Sequence, residues 1–332
     1  MSLGIDFENL IAQLEPVQDT LVLFHRNPDA DAVGSAFALK KVLEELGSRA
    51  WCVCAEEVPH RLSFLMNDEQ ESVLSSSIPE DFEVQRIISV DSASPSQLGE
   101  LFEVYGAHID LMIDHHEMGE AYGAYHYIQP QAAATGEILF DLVKKLATEG
   151  RLQITDALCI DLYAAISADT GGFRFSNVTA ETHLRAAELH SSGIDCAQIN
   201  HLLFDCNTPE QLRAQSAGIS NLNFFADGRI AVITFPYALK AALGLEDEHL
   251  SCLVDVARSV GGVEIAICVR QPAAEGKFRV SVRSSSDYDV SQLCQKFDGG
   301  GHKKAAGCTV LADDIHDAMK KIVDAIDFSQ KN

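Results

Sequence analysis

Acidic and imidazole side chains recur in this sequence in short, separated groups. His25-Arg-Asn-Pro-Asp29-Ala-Asp31 brings one imidazole and two carboxylates together, Asp91 follows Val90 singly, Asp114-His115-His116 forms a triplet, and Asp169 precedes Thr170-Gly171-Gly172. Carboxylate oxygens and imidazole nitrogens are the donors that divalent cations of moderate hardness accept. Two such ions ~3.5–4 Å apart need about six to eight ligands and a bridging carboxylate. His25, Asp29, Asp31, Asp91, His115 and Asp169 supply that number. Taken singly, Asp29 or Asp31 would be a helix cap, Asp91 a turn residue and His115–His116 a surface pair. A second group sits near the C-terminus, where Arg283-Ser284 precedes Gly299-Gly300-Gly301-His302-Lys303-Lys304. Consecutive glycines let backbone N–H groups approach a phosphate closely. Arg283 and His302 can add charge-assisted hydrogen bonds, the arginine bidentately.

The segments that must position these groups alternate. Residues 20–25, 50–54, 85–91 and 109–114 read as short buried strands, with helical stretches at 31–46, stopping at Gly47, and at 96–105. That alternation predicts an α/β fold with a doubly wound, mostly parallel sheet. His25, Asp91 and Asp114-His115 then fall on one carboxyl edge, where such sheets bind ligands. Helical patterns follow at 132–148, 154–168 and 179–191. Residues 195–225 look helical, interrupted at 206–209, and read as a connector. Strands at 230–235, 264–269 and 278–283 and helices at 250–260, 290–297 and 314–327 predict a second, smaller α/β domain. The expected division is a catalytic metal-binding domain over 1–190, a helical connector over 191–225 and a substrate-binding domain over 226–330.

Composition narrows the partners. The 332 residues carry 25 basic and 49 acidic side chains, a net charge of −24. Affinity for a long nucleic acid comes mainly from neutralised phosphates, which this balance opposes. The deficit is uneven: residues 1–218 hold 12 basic and 34 acidic side chains, whereas 270–304 hold seven basic against four acidic. A local basic patch suits a small anionic ligand. No apolar run approaches the ~20 residues of a membrane span, and residues 1–15 lack a signal-peptide layout. The nine cysteines have no repeated spacing, and Cys52 and Cys54 alternate along one strand, so the expectation is reduced thiols in the cytoplasm.

In this order, HRNPDADAVGS (residues 25–35), Val90-Asp91, DHH (114–116) and SADTGGFRF (167–175) resemble the four motifs of the DHH phosphoesterases. GGGHKKAAG (299–307), preceded by VSVRSS (280–285), resembles the C-terminal substrate domain associated with that superfamily. The length and the lack of extra modules most resemble the bacterial branch that degrades very short RNA and dephosphorylates 3′-phosphoadenosine 5′-phosphate (pAp). The resemblance implies two Mn2+, replaceable by Mg2+ or Co2+. One would be held by His25, Asp29 and Asp91, the other by Asp31, Asp91, His115 and Asp169, with Asp91 bridging. It further implies that Asp114 orients a ligand imidazole and that His116 contacts phosphate or assists the leaving group. Arg283, Ser284, Gly300, Gly301 and His302 would grip substrate phosphate across a cleft between domains. A homodimer is compatible with it.

The implied activity is hydrolysis of RNA of about 2–5 nucleotides, and of pAp, by hydroxide activated between two metals. The alternative is a phosphodiesterase for linear or cyclic dinucleotides. An inactive nucleotide-binding regulator would show a broken ligand set, and every position is filled. Elsewhere, His183, His190 and His201 read as structural or surface residues, Asp287 and Asp289 as caps, and Tyr125 and Tyr127 as packing residues. Arg174 is balanced between a substrate phosphate and a structural ion pair.

Overall fold

A computed structural model describes residues 2–66, 70–117 and 119–328. The chain divides into two compact units, residues 1–206 and 207–332. Among the described residues no helix is long and apolar enough to cross a membrane.

The first unit is built on six strands, β1 (Leu3–Gly4), β2 (Thr20–Leu23), β3 (Ala50–Val53), β4 (Arg86–Val90), β5 (Leu111–Asp114) and β6 (Tyr125–Ile128). Their order is β1-β6-β5-β4-β2-β3 and every neighbouring pair is parallel. β2, β4 and β5 are buried along their whole length, as a parallel sheet covered on both faces requires. Successive side chains serve opposite layers. Val22, Ile88 and Ile113 enter the core with the Ala30–Glu45 and Asp156–Asp169 helices, while Leu21, Ile87 and Met112 enter a smaller core with Leu98 and Leu101. The chain passes from β2 to β3 on one side and returns to β4 on the other, so the order switches between β2 and β4. His25 and Asp91 leave the sheet at the carboxyl ends of these two strands.

Small residues set the approach of the helices. A Cβ on Gly34 would lie 2.5 Å from the Asp161 carbonyl oxygen, and one on Gly136 would lie 2.6 Å from Ala165 Cβ. The Ala30–Glu45, Thr135–Thr148 and Asp156–Asp169 helices can therefore bring their ends together over the sheet edge. The stretch expected to be helical from 96 to 105 is instead a 3-10 turn, Pro95–Gln97, and a short helix, Glu100–Tyr105. Gly99 at φ 60° breaks them apart.

The second unit holds β7 (Leu222–Phe225), β8 (Ile230–Phe235), β9 (Ile265–Arg270), β10 (Lys277–Ser284), β11 (Gly300–His302) and β12 (Ala305–Leu311), in the order β11-β12-β10-β9-β8-β7. Only β8 and β9 pair in parallel; the remaining pairs are antiparallel. Burial alternates along β10, with Phe278, Val280 and Val282 in one core. The connector reading of 195–225 needs correction, because its last four residues form β7. The Leu-Asn-Phe-Phe run has aromatic strand preference. It turns back into β8 through Ala226, Asp227 and Gly228, all at positive φ. The Pro209–Ser220 helix, also read as connector, packs in the second unit. β1, β11 and β12 were not apparent in the sequence pattern.

Candidate functional site

The carboxyl edge of the first sheet gathers the acids and histidines. Asp29 is the N-cap of the Ala30–Glu45 helix and accepts the amides of Asp31 and Ala32 at 3.1 and 3.0 Å, so its cap role and its place in the cluster coexist. Asp31, in the first turn of the same helix, is fully buried. Asp91 leaves β4 at φ 50°, a left-handed conformation that turns its side chain out of the strand register. Asp114 and His115 close β5, and Asp169 is the last residue of its helix.

Three groups of donors converge, each with its ligand atoms within 4.8 Å of one another. They are His25 with Asp29 and Asp91; Asp31 with His115 and Asp169; and Asp91 with His115 and His116. Asp91 faces both imidazoles, with Oδ2 3.5 Å from His25 Nε2 and Oδ1 3.7 Å from His115 Nε2. Both rings are turned by backbone carbonyls, which can only accept. His25 Nδ1 donates to the Arg26 oxygen at 2.9 Å and His115 Nδ1 to the Ala132 oxygen at 3.2 Å. Each Nε2 is left to face carboxylates, the arrangement that fixes a ligand tautomer.

The electrostatics suit cations. Burial and the charges of Asp91 and Asp169 raise the Asp31 carboxyl well above its ordinary range. Burial, with Asp29 and Asp91 nearby, also raises Asp169 against the pull of His115. Burial alone would lower His25, but its hydrogen bonds to Asp29 and Asp91 overcome it and raise the ring well above 6.5. Four carboxylates in so small a volume repel one another, and oxygen-rich donors with imidazole nitrogens are what divalent ions accept. The residues present therefore fit a pair of divalent metals.

Asp114 holds an imidazole, that of His116. Its Oδ1 accepts from His116 Nδ1 at 2.7 Å and from the His115 amide at 2.8 Å. It thus orients His116, while the His115 ring is set by Ala132. Burial would lower the His116 imidazole, but Asp114 overrides it and raises it. His116 also lies in one of the three donor groups, a position the sequence did not assign to it.

Sequence reasoning missed the start of the Thr135–Thr148 helix. Thr135 and Gly136 donate their amides to the two oxygens of Asp31 at 2.7 and 2.9 Å, and the Thr135 hydroxyl donates to Asp91 Oδ1 at 3.0 Å. Ser35 adds a bond to Asp31 at 3.0 Å. The Ala-Thr-Gly-Glu run offered a helix-start signal but no hint of its partner. Asn177 bonds the Ala133 and Asp169 carbonyls, tying this loop to the end of the Asp156–Asp169 helix.

Other candidates resolve plainly. Arg174 lies over the Phe204 ring and donates to the Gly171 carbonyl, with no carboxylate partner among the described residues. His183 stacks on Phe173 and His190 contacts Cys196. Asp289 caps the Val290–Gln295 helix. Tyr127 is buried and packs against Phe7.

In the second unit, Arg283 is half-buried; its side chain donates to the Val282 carbonyl and has no carboxylate partner among the described residues. Burial lowers its pKa, against the pull of Asp255. The Ser284 hydroxyl is spent on a local turn with Ser286. Of the glycines, Gly299 and Gly301 are required by their own hairpin. A Cβ on Gly299 would lie 2.3 Å from the Gly307 oxygen, and one on Gly301 would lie 2.5 Å from the Ala305 oxygen. A Cβ on Gly300 would meet nothing within 4 Å. The His302 backbone pairs with Ala305, and its side chain lies outside the described residues. Lys304 is tied to the Ser286 carbonyl and to Asp287.

Comparison with known proteins shows what the chain is similar to. Residues 19–166 match the DHH family, N-terminal domain, and residues 234–327 match the DHHA1 domain. The bifunctional oligoribonuclease and PAP phosphatase NrnA of Thermus thermophilus is 29% identical over 305 residues, which cover 91% of this chain and 87% of that protein. The cyclic-di-AMP phosphodiesterase PdeA of Listeria monocytogenes is 25% identical over 342 residues, covering 96% of this chain and 48% of that longer protein. The crystal structure of an exopolyphosphatase-related protein from Bacteroides fragilis shares the fold, with a TM-score of 0.86, 21% identity and coverage of 96% of this chain and 94% of that one.

Proposed function

Because the chain belongs to the DHH phosphoesterase family, with a DHH domain followed by a DHHA1 domain, we propose that it hydrolyses RNA of about 2–5 nucleotides to mononucleotides and removes a phosphate from pAp, using two manganese ions. The observation that carries the metal part is the position of Asp91, whose two oxygens face His25 on one side and His115 on the other. His25, Asp29 and Asp91 would hold one ion, and Asp31, Asp91, His115 and Asp169 the second. The substrate part is supported by similarity to the Thermus relative over nearly the whole chain.

Two bound cations would offset the negative charge of a phosphodiester and make hydroxide available near neutral pH. The chain's own residues do the remainder. Thr135, Gly136 and Ser35 fix both oxygens of Asp31. Ala132 and Arg26 fix the ring orientations of His115 and His25. Asp114 aligns His116 and favours its cationic form, so that His116 can neutralise the leaving oxygen or give it a proton. Arg283, lacking a carboxylate partner, and the open backbone at Gly300 would receive a substrate phosphate together with Gly301 and His302.

The second reading is a phosphodiesterase for cyclic or linear dinucleotides, favoured by similarity to the Listeria protein. Initial rates with manganese on a dinucleotide, a five-mer, a 24-mer, pAp and cyclic di-AMP decide between them. Fastest turnover of the dinucleotide and pAp supports the first reading. Fastest turnover of cyclic di-AMP replaces it with the second.

A further inference from the structure

Two thiols flank the glycine run of the second unit. Cys294 lies in the Val290–Gln295 helix and is fully buried; Cys308 lies in β12 and is half-buried. Both side chains belong to one core of the second unit, Cys294 within it and Cys308 packed against it. The backbone between helix and strand is drawn tight around them. After the helix the chain turns through Asp298 at φ 54°, and the Gly299 amide returns to the Cys294 carbonyl at 3.0 Å. Gly299 then lies directly against Cys308: an added Cβ would sit 2.5 Å from Cys308 Cβ and 2.7 Å from its Cα. The first residue of the glycine run is thus clamped between two cysteines.

We propose that Cys294 and Cys308 are a redox modification site, closing to a disulfide on exposure to a hydroperoxide and thereby lowering the affinity of the second unit for substrate phosphate. The reaction balances in two steps. The Cys308 sulfur attacks the peroxide, the O–O bond breaks, and Cys308 becomes a sulfenic acid as water leaves from hydrogen peroxide, or an alcohol from an organic hydroperoxide. The Cys294 sulfur then attacks Cys308, the S–O bond breaks, and the S–S bond forms with release of water. Together the cysteines lose two electrons and two protons, and the hydroperoxide is reduced. The order follows from exposure, since the half-buried Cys308 can meet the peroxide while Cys294 is fully buried.

The consequence is mechanical. A disulfide needs its sulfurs about 2.05 Å apart, well inside the contact distance of two unbonded thiols. Closing that gap draws β12 toward the helix and onto Gly299, which has no room to give. The run from 299 to 302 must shift, and Gly300 loses the open approach a phosphate would use. The second part of this inference rests on the phosphate-binding role proposed above; formation of the bond does not.

The test uses the full chain, treated with hydrogen peroxide, cleared of it, and supplied with manganese. Peptide mapping without reductant should show a cross-linked pair containing Cys294 and Cys308, two hydrogens lighter and reversed by dithiothreitol. KM for a dinucleotide should rise roughly three- to tenfold with kcat within about twofold, and return on reduction. Cys308→Ser and Cys294→Ser should each abolish both effects. Oxidation of the exposed Cys206 without the 294–308 link overturns the proposal. A link that forms without moving KM overturns its regulatory part. No dinucleotide turnover even in the reduced protein overturns the proposed function and leaves the link to be judged by mass alone.

Discussion

The Thr135 amide donates to Asp31 Oδ2 at 2.7 Å across 104 residues of chain. The Thr135–Thr148 helix has Ala134 at its N-cap, which offers no side-chain acceptor. Asp31 takes over that role, receiving the Gly136 amide on its other oxygen. The helix gains a charged cap where its dipole favours an anion, and the carboxylate gains a fixed orientation beside Asp91 and Asp169. One contact stabilises the fold and shapes the candidate metal centre.

Loss of the shared carboxylate should be the most severe change. Asp91→Ala should reduce hydrolysis by several orders of magnitude and bind fewer manganese ions per chain, while thermal unfolding of the metal-free protein stays cooperative. Retention of more than about a tenth of wild-type rate at saturating manganese would contradict the two-metal assignment.

Thr135→Val keeps the shape and removes only the hydroxyl bonded to Asp91. Partners that orient ligands typically contribute about 10–100-fold to metal affinity. Manganese titration by calorimetry should show a loss in that range, with metal-free stability lowered by about 0.5–1.5 kcal/mol. Unchanged manganese affinity would mean that Thr135 serves the fold alone.

Gly300→Ala separates folding from binding. Its new Cβ meets nothing among the described residues, so unfolding free energy should change by no more than about 0.5 kcal/mol. KM for a dinucleotide and for pAp should nevertheless rise, because the methyl group occupies the open backbone approach. A normal KM would place the phosphate elsewhere. Gly299→Ala, by contrast, should destabilise strongly.

Arg283→Ala should weaken dinucleotide and pAp binding without altering manganese content. If only two or three phosphates are neutralised, the wild-type slope of log K against log salt should be roughly −1.5 to −2. A slope near −5, or equal kcat/KM on a two-mer and a 24-mer, would point to a grip on long strands.

Burial raises the Asp161 carboxyl from 3.8 to about 7 despite its 2.5 Å contact with Lys41. Between those values the folded chain keeps a proton that the unfolded chain has released, so this group's contribution to stability falls as pH rises and levels off above about 7. Asp161→Asn removes that slope. In urea unfolding of chelated protein, the variant should gain on wild type from about pH 4 to pH 7. A difference that does not change with pH would show that Asp161 titrates normally.

Much of the site was legible because its residues end strands. Apolar runs such as Arg-Ile-Ile-Ser-Val fix where a buried strand lies, and the first polar residue beyond it, Asp91, must emerge at the sheet edge. His25 and His115 are placed by the same logic, and Asp169 by the helix end marked with two glycines. The second unit was less legible. β12 begins in a run of small residues, Ala305-Ala306-Gly307, whose strand character comes from pairing with β10. β7 has only four residues, and its identity comes from pairing with β8.

The sequence by itself determined the donor types, their order along the chain, the parallel sheet and the place of the glycine run, because local apolar patterning and backbone permissiveness are written residue by residue. Tertiary structure alone decided which donors face which. It gave Asp31 to the start of a helix 104 residues away and Asp114 to the ring of His116. It also set Gly299 between Cys294 and Cys308. Those pairings depend on how closely helices and strands can approach, and that is fixed by contacts such as Gly34 beneath Asp161 and Gly136 against Ala165. Distances of this kind arise only when distant parts of the chain pack, so no local pattern carries them.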